Sequence, residues 1–253
     1  MTEVTSIKLT SPPLVEALLG IQCPLNPGFS GFLLGSFWSE VSDVFTKPGL
    51  REGQAGNPRI KLVSADHNFV LQILDSGFFL SWVPSEGGEP YPGFPMLLSR
   101  FQDIYLRYID FLKGNELPVP PVKGLSMGYT NLIAKPPNHE GLLVSSVFPD
   151  FSWRPIARDL SPPAFVNLGT TFQFPDIGCL VDARIDGPFP SDDPNFEMFL
   201  KFFLQARGAV EPQTDLKLVW KWFQDTKTAL NQTFLGLTSD EFRQEYWGEE
   251  TAT

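Results

Sequence analysis

Two cysteines and two histidines are the residues of this chain best suited to act as nucleophiles, bases or metal ligands. Zinc sites group such residues at short spacings, such as CxxC or HExxH, and neither spacing occurs in the sequence. Cys23 and Cys179 each lie in an apolar stretch, which predicts two small buried thiols. His67 and His139 lie among turn-forming residues, which predicts surface loops. The sequence therefore predicts no metal site.

Motifs that mark a catalytic or cofactor site are also missing from the sequence. There is no GxSxG nucleophile elbow, and neither glycine-rich phosphate loop, GxGxxG or GxxxxGK[ST], is present. A nuclease-like pattern can be assembled from Pro175-Asp176 and Asp215-Leu216-Lys217. An aspartate at position 215 also favours the start of a helix, because the helix dipole stabilises a negative charge there. We predict no catalytic residue and no cofactor; a hydrolase or nuclease hidden from sequence spacing stays an alternative.

The charge balance restricts the partners of the chain. Its 253 residues include 19 Lys and Arg against 29 Asp and Glu, which gives a formal net charge of −10. A chain of this charge without a basic cluster repels phosphate backbones and anionic bilayers. The sequence has no apolar run near the roughly 18 residues of a membrane span and no signal-peptide pattern at its start. We expect no nucleic-acid binding, no membrane association and a cytoplasmic location.

Apolar periodicity and turn residues predict the elements that position these side chains. Helices are predicted at residues 33–45, 95–113 and 215–235, where apolar residues recur every three or four positions. A capping box predicts a short last helix from Thr238, followed by a frayed tail from Gly248. Strands are predicted at residues 14–25, 59–64, 69–74, 78–83, 125–134, 142–148, 164–174, 179–186 and 196–206. The last of these segments also suits a helix, but its apolar residues alternate, which favours the strand.

These elements predict an α+β fold, with antiparallel sheet and long helices packed on one of its faces. Residues 1–253 are predicted to form a single domain. Residues 11–15 (SPPLV) resemble residues 161–165 (SPPAF), and each stretch precedes a predicted strand. The similarity has two interpretations: chance in a chain with 24 prolines, or two degenerate repeats with halves at 1–150 and 151–253.

Five segments spread along the chain resemble the motifs of one protein family, the sporadically distributed and functionally uncharacterised bacterial and archaeal proteins of about 250 residues. The family motifs are PPxVEA, a Q…NW hairpin, YPxF, YxNxI and N..F..LT…WG. The matching segments are residues 12–18 (PPLVEAL), 69–82 (FVLQILDSGFFLSW), 91–94 (YPGF), 129–133 (YTNLI) and 231–248 (NQTFLGLTSDEFRQEYWG). Two positions depart from the pattern: Ser81 stands where the family often has Asn, and Lys227 where a His is expected.

The resemblance implies no reaction. From the patchy distribution of the family, it implies an accessory protein of prokaryotic defence-type complexes, with CRISPR-associated complexes among them. Together with the missing catalytic motifs, it leads us to expect a non-catalytic protein-interaction or regulatory module with another protein as its partner.

Four residues are candidates for contact with a partner. Trp220 and Trp222 lie about 200° apart around one helix, so both cannot lie on its buried stripe, and one is expected near solvent as an anchor. The alternative is a partly exposed Trp that packs on neighbouring Lys stems. Tyr129 and Asn131 lie two apart on a strand and share a face, which predicts either a polar contact to a partner or a buried pair bonded within the chain.

Two further expectations concern Glu16 and the aromatic content. Glu16 has no evident partner carboxylate, so we expect it to pair with an Arg rather than to act as a catalytic acid. The chain contains 23 Phe, 6 Trp and 5 Tyr. Aromatic residues favour interfaces, but they also suit the wall of a cavity between sheet and helices, so a binder of a small apolar ligand stays an alternative function.

Overall fold

A computed structural model describes residues 8–24, 26, 28, 31–52, 58–86, 90–136, 143–151, 163–191, 198–211 and 215–250 of the chain. Within these residues the fold is α+β, as predicted. The helices are α1 (Gly31–Glu40), α2 (Phe94–Gly114), α3 (Leu143–Val147), α4 (Leu216–Leu237) and α5 (Asp240–Tyr246). The strands are β1 (Lys8–Leu9), β2 (Leu14–Gln22), β3 (Lys47–Glu52), β4 (Pro58–Val63), β5 (Phe69–Leu74), β6 (Gly77–Trp82), β7 (Gly124–Ala134), β8 (Val166–Phe174), β9 (Cys179–Pro190), β10 (Met198–Ala209) and β11 (Glu249–Glu250).

Nine of the described strands form one antiparallel sheet, in the order β3-β4-β5-β6-β2-β7-β10-β9-β8. We call strands β2 to β6 the first half-sheet and strands β7 to β10 the second half-sheet. Strands β2 and β7 pair at the centre, so the sheet is continuous from one half to the other. The two remaining strands, β1 and β11, pair separately with each other.

The two half-sheets follow the same chain order. In the first, central strand β2 is followed by α1, the meander β4-β5-β6 and the long helix α2, with β3 added at the edge. In the second, β7 is followed by α3, the meander β8-β9-β10 and the long helix α4. The similar segments 11–15 and 161–165 do not follow this order, because the first enters a central strand and the second precedes edge strand β8. Repeats and the halves at 1–150 and 151–253 stay predictions.

One face of the sheet is buried beneath the helices. Alternate residues of β2 (Ala17, Leu19 and Ile21) are fully buried, whereas Glu16 and Leu18 are half-buried, which is the two-residue period of a strand with one covered face. The same alternation on β9 buries the apolar residues that the sequence predicted as the dry side. The core therefore lies between one face of the sheet and the helices.

Helices α2 and α4 cover this face side by side. Phe101 on α2 contacts Phe223 on α4, with ring centroids 5.6 Å apart. Gly93, with a φ of 88°, turns the chain into α2, and the proline that follows in the first turn needs no backbone donor. Asp215 caps α4 by accepting a hydrogen bond of 2.9 Å from the backbone N–H of Lys217. No helix in the described residues is long and apolar enough to cross a membrane.

Several predicted elements differ from the structure. Residues 143–147 are helix α3 and not a strand, because Leu143, Val144 and Val147 are buried at helical spacing. Strand β3 was not predicted, since the Lys-Pro-Gly at its start is typical of a helix end. The last helix is capped by Ser239, which accepts a hydrogen bond from Phe242, and not by Thr238.

Residues 251–253 lie outside the described residues, but the described segment Glu249–Glu250 is strand β11 where fraying was predicted. Its backbone pairs with β1, and the backbone N–H of Thr10 donates to the carbonyl of Gly248 at 3.2 Å. A pairing between residues so distant in sequence has no local signature, so periodicity and capping rules could not predict it.

Candidate functional site

The face of the sheet opposite the helices is the surface on which we place the candidate site. The described helices pack on the core-facing side, where they bury the alternate residues of the strands. We call the other side, which carries Leu18, Thr130, Phe203 and Arg184, the open face. Its side chains are half-buried or exposed at these four positions, whereas their strand neighbours lie in the core.

Strand register aligns four side chains across the centre of the open face. Glu16 lies opposite Thr130, Thr130 opposite Phe203, and Phe203 opposite Arg184. The hydroxyl of Thr130 donates to Glu16 Oε2 at 3.3 Å. Neighbouring strands lie about 4.8 Å apart, so the backbones of Glu16 and Arg184 are separated by about 14 Å.

Between these two charged side chains lies a groove of about 330 Å³. Its floor is the pair β7 and β10, and its sides are β2 and β9. Gly128 contributes no side chain to the floor, which keeps the centre of the groove open between Leu18 and Gln205. We call this feature the central groove; the residues that line it are Glu16, Leu18, Gly128, Tyr129, Thr130, Asp182, Arg184, Phe203, Leu204 and Gln205.

Most charges of the second half-sheet are paired with one another. Arg184 Nη2 lies 2.6 Å from a carboxylate oxygen of Asp186, and Arg207 Nη2 lies 2.6 Å from one of Asp182. Asp186 is only 4% exposed although it lies on the side predicted to be wet. It also accepts a hydrogen bond of 2.6 Å from the side chain of Asn167, which satisfies its second oxygen. These carboxylates are thus neutralised within the sheet.

Glu16 differs from these carboxylates. Among the described residues, only the Thr130 hydroxyl forms a hydrogen bond with its side chain. No Arg or Lys among the described residues forms an ion pair with it. The expected pairing with an Arg is therefore wrong for the described residues. The central groove carries an uncompensated carboxylate on its β2 side and a compensated guanidinium on its β9 side.

Tyr129 and Asn131 share a face of β7, as predicted, and it is the face towards the core. Asn131 is buried, and its side-chain amide donates to the carbonyl of Phe202 on the neighbouring strand at 3.2 Å. Tyr129 packs partly against the core beside Tyr91, whose ring lies 5.1 Å from that of Trp82. Burial raises the pKa of Tyr91 to about 12, an effect that the nearby hydroxyl of Tyr129 offsets in part. Their role in partner binding stays a prediction.

Trp220 and Trp222 lie on different sides of α4, as their spacing predicts. Trp222 is buried at 7% exposure and covers Gly208 of β10. Trp220 is the more exposed of the two and packs in the gap between the long helices, edge-on to Phe101 at 6.1 Å and to Tyr105 at 6.0 Å. Both tryptophans thus have packing roles within the chain, and their role in partner binding stays a prediction.

The two cysteines are free and buried, as predicted. Burial raises the pKa of Cys23 to about 11 and also raises the pKa of Cys179, so neither thiol ionises readily. His67 lies in an exposed turn at 2.7 Å from the Lys47 ammonium, and His139 lies outside the described residues. In the part of the chain that the structure describes, no His, Cys, Asp and Glu side chains gather in a group of three that could hold a metal ion.

The segments of the nuclease-like pattern hold structural positions. Asp176 lies in the 3-10 turn Pro175–Ile177 that joins β8 to β9, and Asp215 is the cap of α4. The interface between sheet and helices, where an apolar ligand was the alternative, is filled at its centre by fully buried rings such as Phe78 and Tyr105, whose centroids are 5.3 Å apart. Neither alternative gains a supporting feature from these regions.

No known family model and no curated protein matches this chain. The family suggested by the five sequence motifs therefore stays a prediction. The candidate site rests on the geometry of the open face alone.

Most residues of the central groove were not singled out from the sequence. Alternation on β9 marked Arg184 and Asp182 as solvent-facing, and Glu16 was noted as lacking a second carboxylate, with an Arg expected as its partner. Thr130 and Phe203 had no such signal, because their proximity to Glu16 depends on the strand order β2-β7-β10-β9. That order joins segments more than a hundred residues apart, and no local pattern encodes it.

Proposed function

We propose that the protein is a non-catalytic interaction module that binds another protein through the open face of its sheet. The observation that carries this proposal is the central groove, a concave site in the middle of a face on which the described helices do not pack. Binding sites are typically concave and combine apolar side chains with a few placed polar groups. Leu18 and Phe203 supply the first kind, and Glu16, Thr130 and Gln205 supply the second.

The arrangement of charges favours recognition over catalysis. Acid–base chemistry needs titratable groups that converge on a reacting atom. On the second half-sheet these groups instead form ion pairs spread along the sheet. Arg207 of β10 pairs with Asp182 of β9, and Arg184 pairs with Asp186 on the same strand. Such an array supports a preformed, polar contact surface.

The proposal also covers the cellular location of the protein and the kind of partner that it binds. We infer a cytoplasmic location, which two free and buried thiols support. We infer no direct binding of nucleic acid, because the net charge of −10 repels phosphate. The family resemblance adds the proposal that the partner belongs to a prokaryotic defence-type complex, such as a CRISPR-associated one, in which the protein is an accessory or regulatory subunit.

Photo-crosslinking in the native host tests the proposed surface. The photoreactive residue p-benzoylphenylalanine replaces Leu18 in the central groove or, as the control, Gln224, which is exposed on α4 and lies on the helix side. We expect one discrete protein adduct from position 18 and none from position 224. The adduct is then identified, and the purified partner is titrated against the parent protein and against Phe203→Ser.

Loss of an anchoring aromatic ring in an interface typically costs about 2 kcal/mol or more, so Phe203→Ser should weaken this complex by at least about thirtyfold. Equal adducts from both positions, or no adduct from position 18, would contradict the proposal. An unchanged affinity of Phe203→Ser would contradict it as well.

A further inference from the structure

The central groove has an electrostatic asymmetry that selects among partners. Glu16, on its β2 side, accepts one long hydrogen bond from Thr130 and has no cation from the described residues beside it. Arg184, on its β9 side, is already neutralised by Asp186 at 2.6 Å. Because a half-buried carboxylate is more stable with a positive partner, the uncompensated charge of the groove attracts a cation.

The floor of the groove presents an aromatic ring to such a cation. Phe203 lies two strands from Glu16 and is half-buried. The guanidinium carbon of Arg184 lies over this ring, 5.8 Å from its centroid, so the ring already attracts one cation. A cation over an aromatic face gains electrostatic energy from the quadrupole of the ring. Thr130 lies between Glu16 and Phe203 in the strand register, and the neighbouring Gly128, which lacks a side chain, leaves room beside it on the floor of the groove.

Other occupants fit this site less well. An anion would meet Glu16 directly and would find Arg184 already paired. A second copy of the chain would bring a further net charge of −10, which opposes association. A basic segment of a partner would be drawn towards the protein as a whole and towards Glu16 locally.

We infer that the central groove binds an arginine or lysine side chain of a partner protein, with its cationic head between the Glu16 carboxylate and the Phe203 ring. This inference rests on the proposed function, because the anchor belongs to the protein that docks on the open face. Thr130 keeps the Glu16 carboxylate oriented towards the groove. The side-chain amide of Gln205, which donates to Ser126 at 3.3 Å, leaves its carbonyl oxygen as a second acceptor for the anchor.

The anchor is tested with small probes on the full-length, isotopically labelled protein. N-acetyl-arginine methylamide and its neutral isostere N-acetyl-citrulline methylamide are each titrated to about 50 mM, a range that reveals millimolar binding, while backbone amide shifts are followed by NMR. We expect saturable shifts at Gly128, Thr130 and Gln205 with the arginine probe. The citrulline probe should leave these amides unshifted, because it lacks the charge.

Variants separate the two contacts of the cation. Glu16→Gln should weaken arginine binding at least about tenfold, since a charged hydrogen bond becomes a neutral one. Phe203→Leu should weaken it about three- to fivefold, the value expected for one exposed cation–π contact. Glu40→Gln, which removes an exposed carboxylate at the end of α1, is the matched control and should change nothing.

Three results would overturn the inference: no groove shifts with the arginine probe, equal binding of the citrulline probe, or equal weakening by Glu16→Gln and Glu40→Gln. Sedimentation of the parent protein as a dimer that Glu16→Gln dissociates would assign the groove to a second copy and overturn it too. If the probe fails while the crosslink from position 18 still forms, the basic anchor is wrong and the interaction surface stands. If both fail, the proposed function is wrong as well.

Discussion

The two half-sheets share a chain order but differ in how their helices pack. In the first, Phe78 of β6 meets three rings of α2, with centroids 6.0, 5.3 and 5.1 Å away at Phe101, Tyr105 and Tyr108. In the second, Gly208 of β10 lies directly beneath the indole of Trp222 on α4. Both halves thus pack aromatic rings between sheet and helix, but in the second half the backbone of β10 also comes close to a helix ring.

The half-sheets differ again on the open face. On the first, the apolar Leu18, Val70 and Phe79 share the face with the uncharged Gln72 and Ser81, and Lys61 lies towards the edge. On the second, ion pairs and hydrogen bonds connect the side chains of β8, β9 and β10. The central groove lies where these two surfaces meet, with Glu16 on one side and Arg184 on the other.

This difference assigns folding stability mainly to one half-sheet and partner recognition mainly to the other. Aromatic burial is the stronger source of folding free energy, and it is concentrated beneath the first half-sheet. Paired surface charges add little stability but fix direction and partner choice. The first half-sheet therefore anchors the fold, and the second supplies most of the polar groups for recognition.

Removal of one core ring from each half-sheet should give the largest change in stability, and it tests this comparison directly. Phe78→Ala and Phe202→Ala should each lower the free energy of unfolding by about 3–5 kcal/mol, because both rings are fully buried. The loss should be greater for Phe78, which contacts three rings, than for Phe202, which contacts Phe148 and Phe234. Urea denaturation measures both values; a loss below about 1 kcal/mol for Phe78→Ala would contradict the role of the first half-sheet.

Alanine at a close-packed glycine sharpens the comparison. A Cβ at Gly208 would lie 2.5 Å from Cε2 of Trp222, whose ring is buried against Phe223, so Gly208→Ala should cost about 2 kcal/mol. A Cβ at Gly20 would meet the ring of Phe79, which lies on the open face and can swing away, so Gly20→Ala should stay within about 1 kcal/mol of the parent. Thermal denaturation ranks the two variants, and the reverse order would show that α4 is free to shift.

The smallest expected change in stability comes from the ionisation of a buried thiol, Cys23, at alkaline pH. The pKa of Cys23 rises from 9.0 to about 11 on folding, so between these values the unfolded chain loses its proton first. The folded state, which retains the proton, then becomes less stable as pH rises, by about 1 kcal/mol at pH 10.

Cys23→Ala should remove the loss of stability that this thiol causes at alkaline pH. The measurement is the difference in unfolding free energy between pH 7.5 and pH 10. Comparison of each protein with itself at two pH values cancels the packing cost of the substitution. Cys179→Ala, in the second half-sheet, should act in the same direction, because burial also raises the pKa of Cys179. An identical pH dependence of Cys23→Ala and the parent would contradict the pKa shift of Cys23.

The sequence predicted the elements well where a strand or helix has one covered face. Alternation on β9 and the stripe on α2 report burial directly, and the α+β class follows from them. It failed at α3, because the mixture of apolar and small polar residues from Leu143 to Val147 suits either element, and the burial that selects the helix depends on the tertiary fold. The central groove was the least predictable part, because Glu16, Phe203 and Arg184 come to line one groove only through the long-range order of the strands.

The pairing of β1 with β11 determines how the molecule would respond to a mechanical load. Lys8 lies opposite Glu250 and Leu9 opposite Glu249, so a pull applied at positions 8 and 250 acts on the same end of both strands. That geometry opens an antiparallel pair one residue at a time, like a zipper, and never shears it as a whole. The bonds that join Thr10 to Gly248 and Ser11 to Trp247 would then yield in turn, at low force, before any tension reached the nine-stranded sheet.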